Sequence, residues 1–381
     1  MIFKNTVPVE GAVVCAVGKN YVICVPINEE VLVQAEVDGK IYYCQSNGIR
    51  KSGTRVQQFV IPAEALDRTK RYKITYEVLN KRLAYSSERQ PAVNIEYSFR
   101  PIEKDTNINI YHLSDVHGMG KAAVKTGGFF GGELDMLVLN GDISSSSESE
   151  DDILLNYRIA YEITKGEIPC VITRGNHDLR GKYAEKLEEL LPTESGKPYY
   201  TVKVGPVWML VLDCGEDKLD SHGEYGGTVV FHEFRERETE FINNVVASKL
   251  TEYGAADVKY RFVLCHIPFC HSDDSECKGE RPFNIENEIY TDWCARIKEN
   301  IKPDLSVFGH VHKTEVFPDG SSFDDRSLGG EIVLGGAPVS RTGLPDMVTG
   351  TALSIEENGI RIRFTDSKGK VSEDKKLIKI F

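Results

Sequence analysis

The sequence predicts a layered α/β domain preceded by an all-β segment, and two observations carry that expectation. From residue 107 onward, apolar runs of strand length alternate with helical patterns, as in sheets covered on both faces. Before residue 104, short alternating or β-rich runs recur with regular turn signals. The polar stretch Pro101 to Thr106 separates the two textures, which puts a β-segment at 1–103 and the α/β domain at 104–381. With 381 residues and 41% apolar content, the chain can bury a substantial core in two domains.

In the first segment the expected strands are Val13 to Ala16, Tyr21 to Pro26, Val31 to Val37, Lys40 to Cys44, Val56 to Ile61, Tyr72 to Val78 and Val93 to Phe99. Asp38-Gly39 between two of them is a two-residue hairpin signal. Seven such strands suggest a β-sandwich of immunoglobulin or fibronectin type.

In the second segment each apolar run is followed at once by a short polar block. Ile108 to Leu113 precedes Asp115-Val116-His117, and Met136 to Leu139 precedes Gly141-Asp142. Ile168 to Ile172 precedes Gly175-Asn176-His177-Asp178, Phe262 to Cys265 precedes His266, and Leu305 to Phe308 precedes Gly309-His310-Val311-His312. Five of the nine histidines fall in these blocks. Polar residues just past the C-terminal ends of buried strands sit where α/β sheets place their ligand crevices. The glycines at 141, 175 and 309 permit sharp turns and close approach. Carboxylate, imidazole and amide donors without thiolate suit Mn, Fe or Zn in a hydrolytic centre rather than a structural zinc knot. Closing strands are expected at Glu331 to Leu334, Thr351 to Ile355 and Ile360 to Phe364.

The ordered set D-x-H, G-D, G-N-H-D, His and G-H-x-H over about residues 107 to 340 resembles the calcineurin-like metallophosphoesterases, a superfamily that includes purple acid phosphatases. The resemblance implies a four-layer α/β/β/α sandwich with a dinuclear site at one edge, and an N-terminal sandwich like that of purple acid phosphatases. It assigns Asp115, His117, Asp142 and His312 to one divalent ion, and Asp142, Asn176, His266 and His310 to a second, with Asp142 bridging. It further implies a bridging hydroxide as nucleophile, His177 as general acid, and Asp178 as the carboxylate orienting that imidazole or as a helix N-cap. Purple acid phosphatases carry a tyrosine three residues after the bridging aspartate; Ser145 stands there instead, so no tyrosinate-to-iron colour is expected. The implied substrate is a small phosphomonoester or phosphodiester. Competing readings are a metal-bearing binding protein with vestigial catalysis and a nuclease of the same superfamily.

The remaining polar features have plainer readings. Arg174 and Arg180 are expected in ion pairs, His112 in the core, and His222, His232 and His271 as ordinary loop histidines. The run Ser144 to Asp152 reads as an acidic helix N-terminus with a Ser or Asp cap. A net charge of −12 and no basic stripe weigh against a nucleic-acid partner. Nine cysteines without repeated spacing, Cys265, Cys270 and Cys277 included, fit reduced thiols. No stretch reaches the ~20 apolar residues of a membrane span and no signal pattern opens the chain, so a cytoplasmic protein is expected. Segments 213–235 and Phe269 to Pro282 are candidate specificity loops. Oligomeric state is open.

Overall fold

The computed structural model describes residues 7–272, 285–338 and 347–378. Part of the Phe269 to Pro282 loop, including Cys277, lies outside them. Two sheets stack face to face. The larger, of ten strands, runs in the order Val371–Ile378, Gly359–Asp366, Val348–Glu356, Ile108–Leu113, Met136–Asn140, Pro169–Thr173, Val13–Val17, Asn20–Pro26 and Val56–Pro62, with Ala337–Pro338 off this path. The smaller, of six, runs Tyr200–Val204, Val207–Val211, Tyr260–Leu264, Leu305–Phe308, Glu331–Leu334 and Glu315–Phe317.

Strand alternation assigns the two faces of the smaller sheet. Val207, Met209 and Val211, with Phe262, Leu264, Val307 and Val333, join the cluster that also holds Ile110, Met136, Val138 and Leu353 of the larger sheet. Their strand neighbours Trp208, Leu210, Val263, Phe308 and Ile332 pack the other way, against Ile242 and Val245 of helix Phe231–Ala247 and Tyr290 and Trp293 of helix Asn287–Arg296. Helices Gly120–Gly127 and Glu150–Thr164 cover the outer face of the larger sheet. The result is the α/β/β/α layering expected for the fold.

Helix Glu150–Thr164 begins as its acidic run predicts. Three acidic residues fill its first turn, and the Asp152 carboxylate accepts hydrogen bonds from the Ser149 backbone N–H and hydroxyl, both at 2.8 Å.

The N-terminal region is β-rich as expected, and Asp38 (φ 52°) and Gly39 (φ 72°) make its tight hairpin between Val37 and Lys40. Its strands are nevertheless shared between two sheets. Val31–Val37, Lys40–Tyr43, Arg71–Arg82, Ser87–Arg89 and Val93–Ser98 form a five-stranded sheet of their own. Val13–Val17, Asn20–Pro26 and Val56–Pro62 extend the large sheet, where Val14 pairs in parallel with Pro169 and Cys15 with Cys170. The hydrogen-bonded sheets are therefore not divided at residue 103. The five-stranded sheet is tied on by Tyr72, whose hydroxyl donates to Gly166 O at 2.9 Å, and by Tyr97, whose hydroxyl accepts from Ala12 N–H at 3.3 Å.

One buried acid has a testable effect on stability. Glu238, on helix Phe231–Ala247, is 0% exposed; its Oε1 accepts from Asp213 N–H at 2.8 Å, and its Oε2 has no hydrogen-bond partner. Burial and the adjacent Asp213 carboxylate push its pKa well above the usual range. An acid held protonated by the fold binds more protons folded than unfolded, so its contribution is full below the unfolded value of about 4.3 and is lost as pH rises toward the folded value. Glu238→Gln, which keeps the acceptor and removes the charge, is expected to raise the urea midpoint at pH 8 more than at pH 5. An equal change at both pH values would contradict this account.

Candidate metal centre

The five polar blocks emerge at one edge of the stacked sheets. Asp115, Asp142 and Asn176 follow three adjacent parallel strands of the larger sheet, and His266 and His310 follow two adjacent strands of the smaller one. The chain reverses sharply at these points. Asp115 (φ 55°), His117 (φ 46°), Asp142 (φ 53°), His310 (φ 68°) and His312 (φ 55°) are all left-handed, a conformation that is uncommon for residues other than glycine. Such strain, about 1–3 kcal/mol per residue, persists where the surroundings enforce it, and it clusters at functional sites. The glycines make room: a Cβ on Gly309 would lie 1.9 Å from Ser114 Oγ, and one on Gly175 would lie 2.3 Å from Asp142 Oδ1.

The seven expected ligands come together. Donor atoms of Asp115, His117 and His312 lie within 4.8 Å of one another, as do those of Asp142, His266 and His310. Asn176 Oδ1 is 3.0 Å from His310 Nδ1. Asp142 Oδ2 stands between the groups, 3.2 Å from His266 Nε2 and 3.9 Å from His117 Nε2. His312 Nε2 is 3.0 Å from His117 Nε2 and 3.3 Å from Asp115 Oδ1.

The donor set fits divalent cations on the state of His266. Its Nδ1 hydrogen-bonds to the Asn140 carbonyl at 2.8 Å, and a carbonyl can only accept, so Nδ1 carries the hydrogen. In the neutral ring Nε2 is then an acceptor. It is buried, has no hydrogen-bond partner, and faces the Asp142 carboxylate. Two acceptors in that position call for a cation or a proton between them. Burial alone would lower the His266 pKa, but Asp142 and Asp115 outweigh it and lift it to about 10. Burial would likewise raise the two aspartates; His266 chiefly holds Asp142 well below the carboxylate range, and His312 and His266 lower Asp115.

His177 stands at the rim. Its Nδ1 hydrogen-bonds to Ser145 O at 3.0 Å, its backbone N–H donates to Asp142 Oδ1 at 2.9 Å, and its ring meets His117 edge-on at 4.9 Å. It is also near enough to His117 and Asp142 to share a cation with them.

Asp178 takes neither of the two tasks expected, orienting His177 or capping a helix. Its Oδ2 accepts from the backbone N–H groups of Gly175 (2.8 Å) and Asp142 (3.0 Å), so it clamps the two ligand-bearing turns together, and the Ser145 carbonyl holds His177 instead. Burial and the Asp142 charge raise the Asp178 pKa to about 7. The sequence placed Asp178 next to His177, but the backbone of a three-residue turn directs the carboxylate inward.

Other supporting groups carried no sequence signal. The Asn140 side chain joins the two sheets, donating to Cys265 O at 3.0 Å and accepting from Thr173 Oγ1 at 2.8 Å. Glu216 and Asp217, in the candidate loop 213–235, back the second ligand group. Glu216 takes a forked pair of bonds from Arg180 (2.6 and 2.8 Å) and lies 3.5 Å from Asn176 Nδ2, and Asp217 Oδ2 is 3.5 Å from His310 Nε2. Only the contacts show their role, because acidic loop residues are common.

Arg174 pairs with Asp213 and Arg180 with Glu216, as expected for ion-pairing residues. His232 bonds Glu286, His271 stacks on Phe323, and His222 accepts from Glu224 N–H; none joins the ligand groups. His112 is buried without a hydrogen-bond partner at either nitrogen, and burial depresses its pKa to about 3. The described cysteines are buried free thiols. No helix among the described residues is long and apolar enough to cross a membrane.

The chain was compared with known proteins. Among solved structures it is similar to purple acid phosphatase PPD1 from yellow lupin (Lupinus luteus) seeds, with 13% identity, 96% of this chain and 74% of that chain covered, and a TM-score of 0.59. It is similar also to PhoD, with 11% identity, 96% and 88% coverage, and a TM-score of 0.54. At these identities the likeness is one of fold. No curated protein matches the chain. The model of the calcineurin-like phosphoesterases matches residues 108–314, more than half of the 381 residues and all of the ligand blocks. The chain therefore belongs to the calcineurin-like phosphoesterase family.

Proposed function

We propose that the chain is a dinuclear metal-dependent phosphoesterase that hydrolyses a small phosphomonoester or phosphodiester. Asp115, His117, Asp142 and His312 would hold one ion, and Asp142, Asn176, His266 and His310 the other, with Mn, Fe or Zn as the candidates. The observation that carries this reading is the buried Asp142 carboxylate, placed between a histidine of each ligand group. Divalent ions held there would supply positive charge for the phosphoryl oxygens and an activated nucleophile at neutral pH.

The residues divide by exposure. Asp115, Asp142, Asn176 and His266 are buried, whereas His117, His177, His310 and His312 are partly open, so a phosphate ester would approach across the imidazoles. With its Nδ1 hydrogen committed to the Ser145 carbonyl, His177 exchanges protons through Nε2 and would donate one to the leaving oxygen as general acid. Arg174 and Arg180 already face carboxylates, which leaves substrate charge to be balanced mainly at the metal centre.

Aryl monoesters, aryl diesters, nucleotides and cyclic nucleotides, assayed with Mn, Fe or Zn, test the reading. Turnover of at least one class, lost on chelation, is expected. Failure with every substrate on fully loaded protein would support a binding role instead. The loaded protein is expected to lack a tyrosinate charge-transfer band, given Ser145.

A further inference from the structure

We propose that a second pocket, at the opposite pole of the large sheet, binds the oxyanion group of a small ligand, with Arg363 as its anchor. The cavity measures about 720 Å3 and is lined by Arg100, Lys104, Phe129, Phe130, Arg361 and Arg363, among others. It includes Asn107 and Asn109, where strand Ile108–Leu113 begins, whereas Asp115 follows the strand's far end. At about 3.3 Å per residue the two sites are roughly 20 Å apart.

Arg363 is held ready for a ligand. Its guanidinium lies 5.2 Å from the Phe129 ring centre and 5.4 Å from that of Phe130, an arrangement that fixes the side chain by cation–π attraction. Its Nη2 donates to Ser354 Oγ at 2.7 Å, and Ser354 in turn donates to Asn109 Oδ1 at 2.8 Å. Its Nε is buried with no hydrogen-bond partner, and among the described residues no carboxylate forms an ion pair with it. Burial and the like charge of Arg361 hold its pKa below the usual range.

Arg100 adds a second guanidinium outside any ion pair among the described residues, while Asp374 and Glu356 act on Arg363 only at longer range. Arg100 donates to the carbonyls of Gly132, at 3.0 Å, and Leu134. The other cations are engaged, Lys104 with Asp135 and Arg361 with Asp374. Of the lining acids, Glu356 bonds Lys376 and Glu133 contributes a second carboxylate, so the lining carries four cations, Arg100, Lys104, Arg361 and Arg363, against two acids. In a chain of net charge −12, two such guanidiniums in one hollow favour an anion, and the planar fork of arginine matches a phosphate or carboxylate. The guanidinium already covers the phenylalanine rings, so the pocket suits a compact oxyanion rather than a stacked base.

Full-length metal-loaded protein, labelled at arginine Nε, tests the proposal by NMR titration with inorganic phosphate and, separately, malonate. A saturable shift of the Arg363 Nε resonance is expected, identified by its absence in Arg363→Gln. Arg100→Gln should weaken that binding about tenfold, equivalent to one charge-assisted contact. Saturation by phosphate alone would define a phosphate site, and saturation by both a general oxyanion site. No saturable shift with either anion, or an affinity untouched by Arg100→Gln, would overturn the proposal.

Discussion

Asp142→Asn is expected to lower kcat/KM by at least about a thousandfold, about 4 kcal/mol of transition-state stabilisation. The substitution suits the site unusually well. Asparagine tolerates the left-handed backbone that Asp142 adopts and retains the Oδ1 that accepts the His177 N–H, so the fold should survive. What it loses is the negative charge between His266 and His117. Metal content should fall with activity, because both ligand groups draw on this carboxylate. A folded Asp142→Asn protein with near-normal turnover would remove the bridging role.

His177→Ala is expected to slow hydrolysis by about 10²–10⁴-fold for an ester with a poor leaving group, and by much less for one with a good leaving group. An alkoxide needs a proton as it departs, whereas a nitrophenolate does not. Position near His117 and Asp142 leaves His177 a second possible task, sharing a cation with them. Metal analysis of the variant separates the two. Unchanged metal content with a steep leaving-group dependence supports proton donation; lost metal with equal slowing of both substrates argues for a ligand role.

The convergence of the candidate metal-binding residues was legible because they are written in short blocks directly after buried strands. Strand-to-turn-to-ligand is a local relation, and glycine at 175 and 309 marked the close approaches that the ligand geometry requires. The acidic start of helix Glu150–Thr164 and the Asp38-Gly39 hairpin were legible for the same reason. The partition of the N-terminal strands was not. A continuous apolar, β-rich run marks Val13–Val17 as a strand but does not say that its partner is Pro169–Thr173, more than 150 residues away. The residues that support the candidate ligands were hidden likewise. Asn140 ends an apolar strand, and Glu216 and Asp217 lie in a polar loop. Each acquires its task only when the two sheets meet. Asp178 shows the converse limit, since adjacency to His177 in sequence did not place its carboxylate on the ring.

Elemental analysis of purified protein, loaded with Mn, Fe or Zn and freed of excess ion, tests the central claim most directly. The account predicts close to two tightly held ions per chain, and fewer in Asp142→Asn. A folded wild-type protein that retains none of these metals after loading would contradict it.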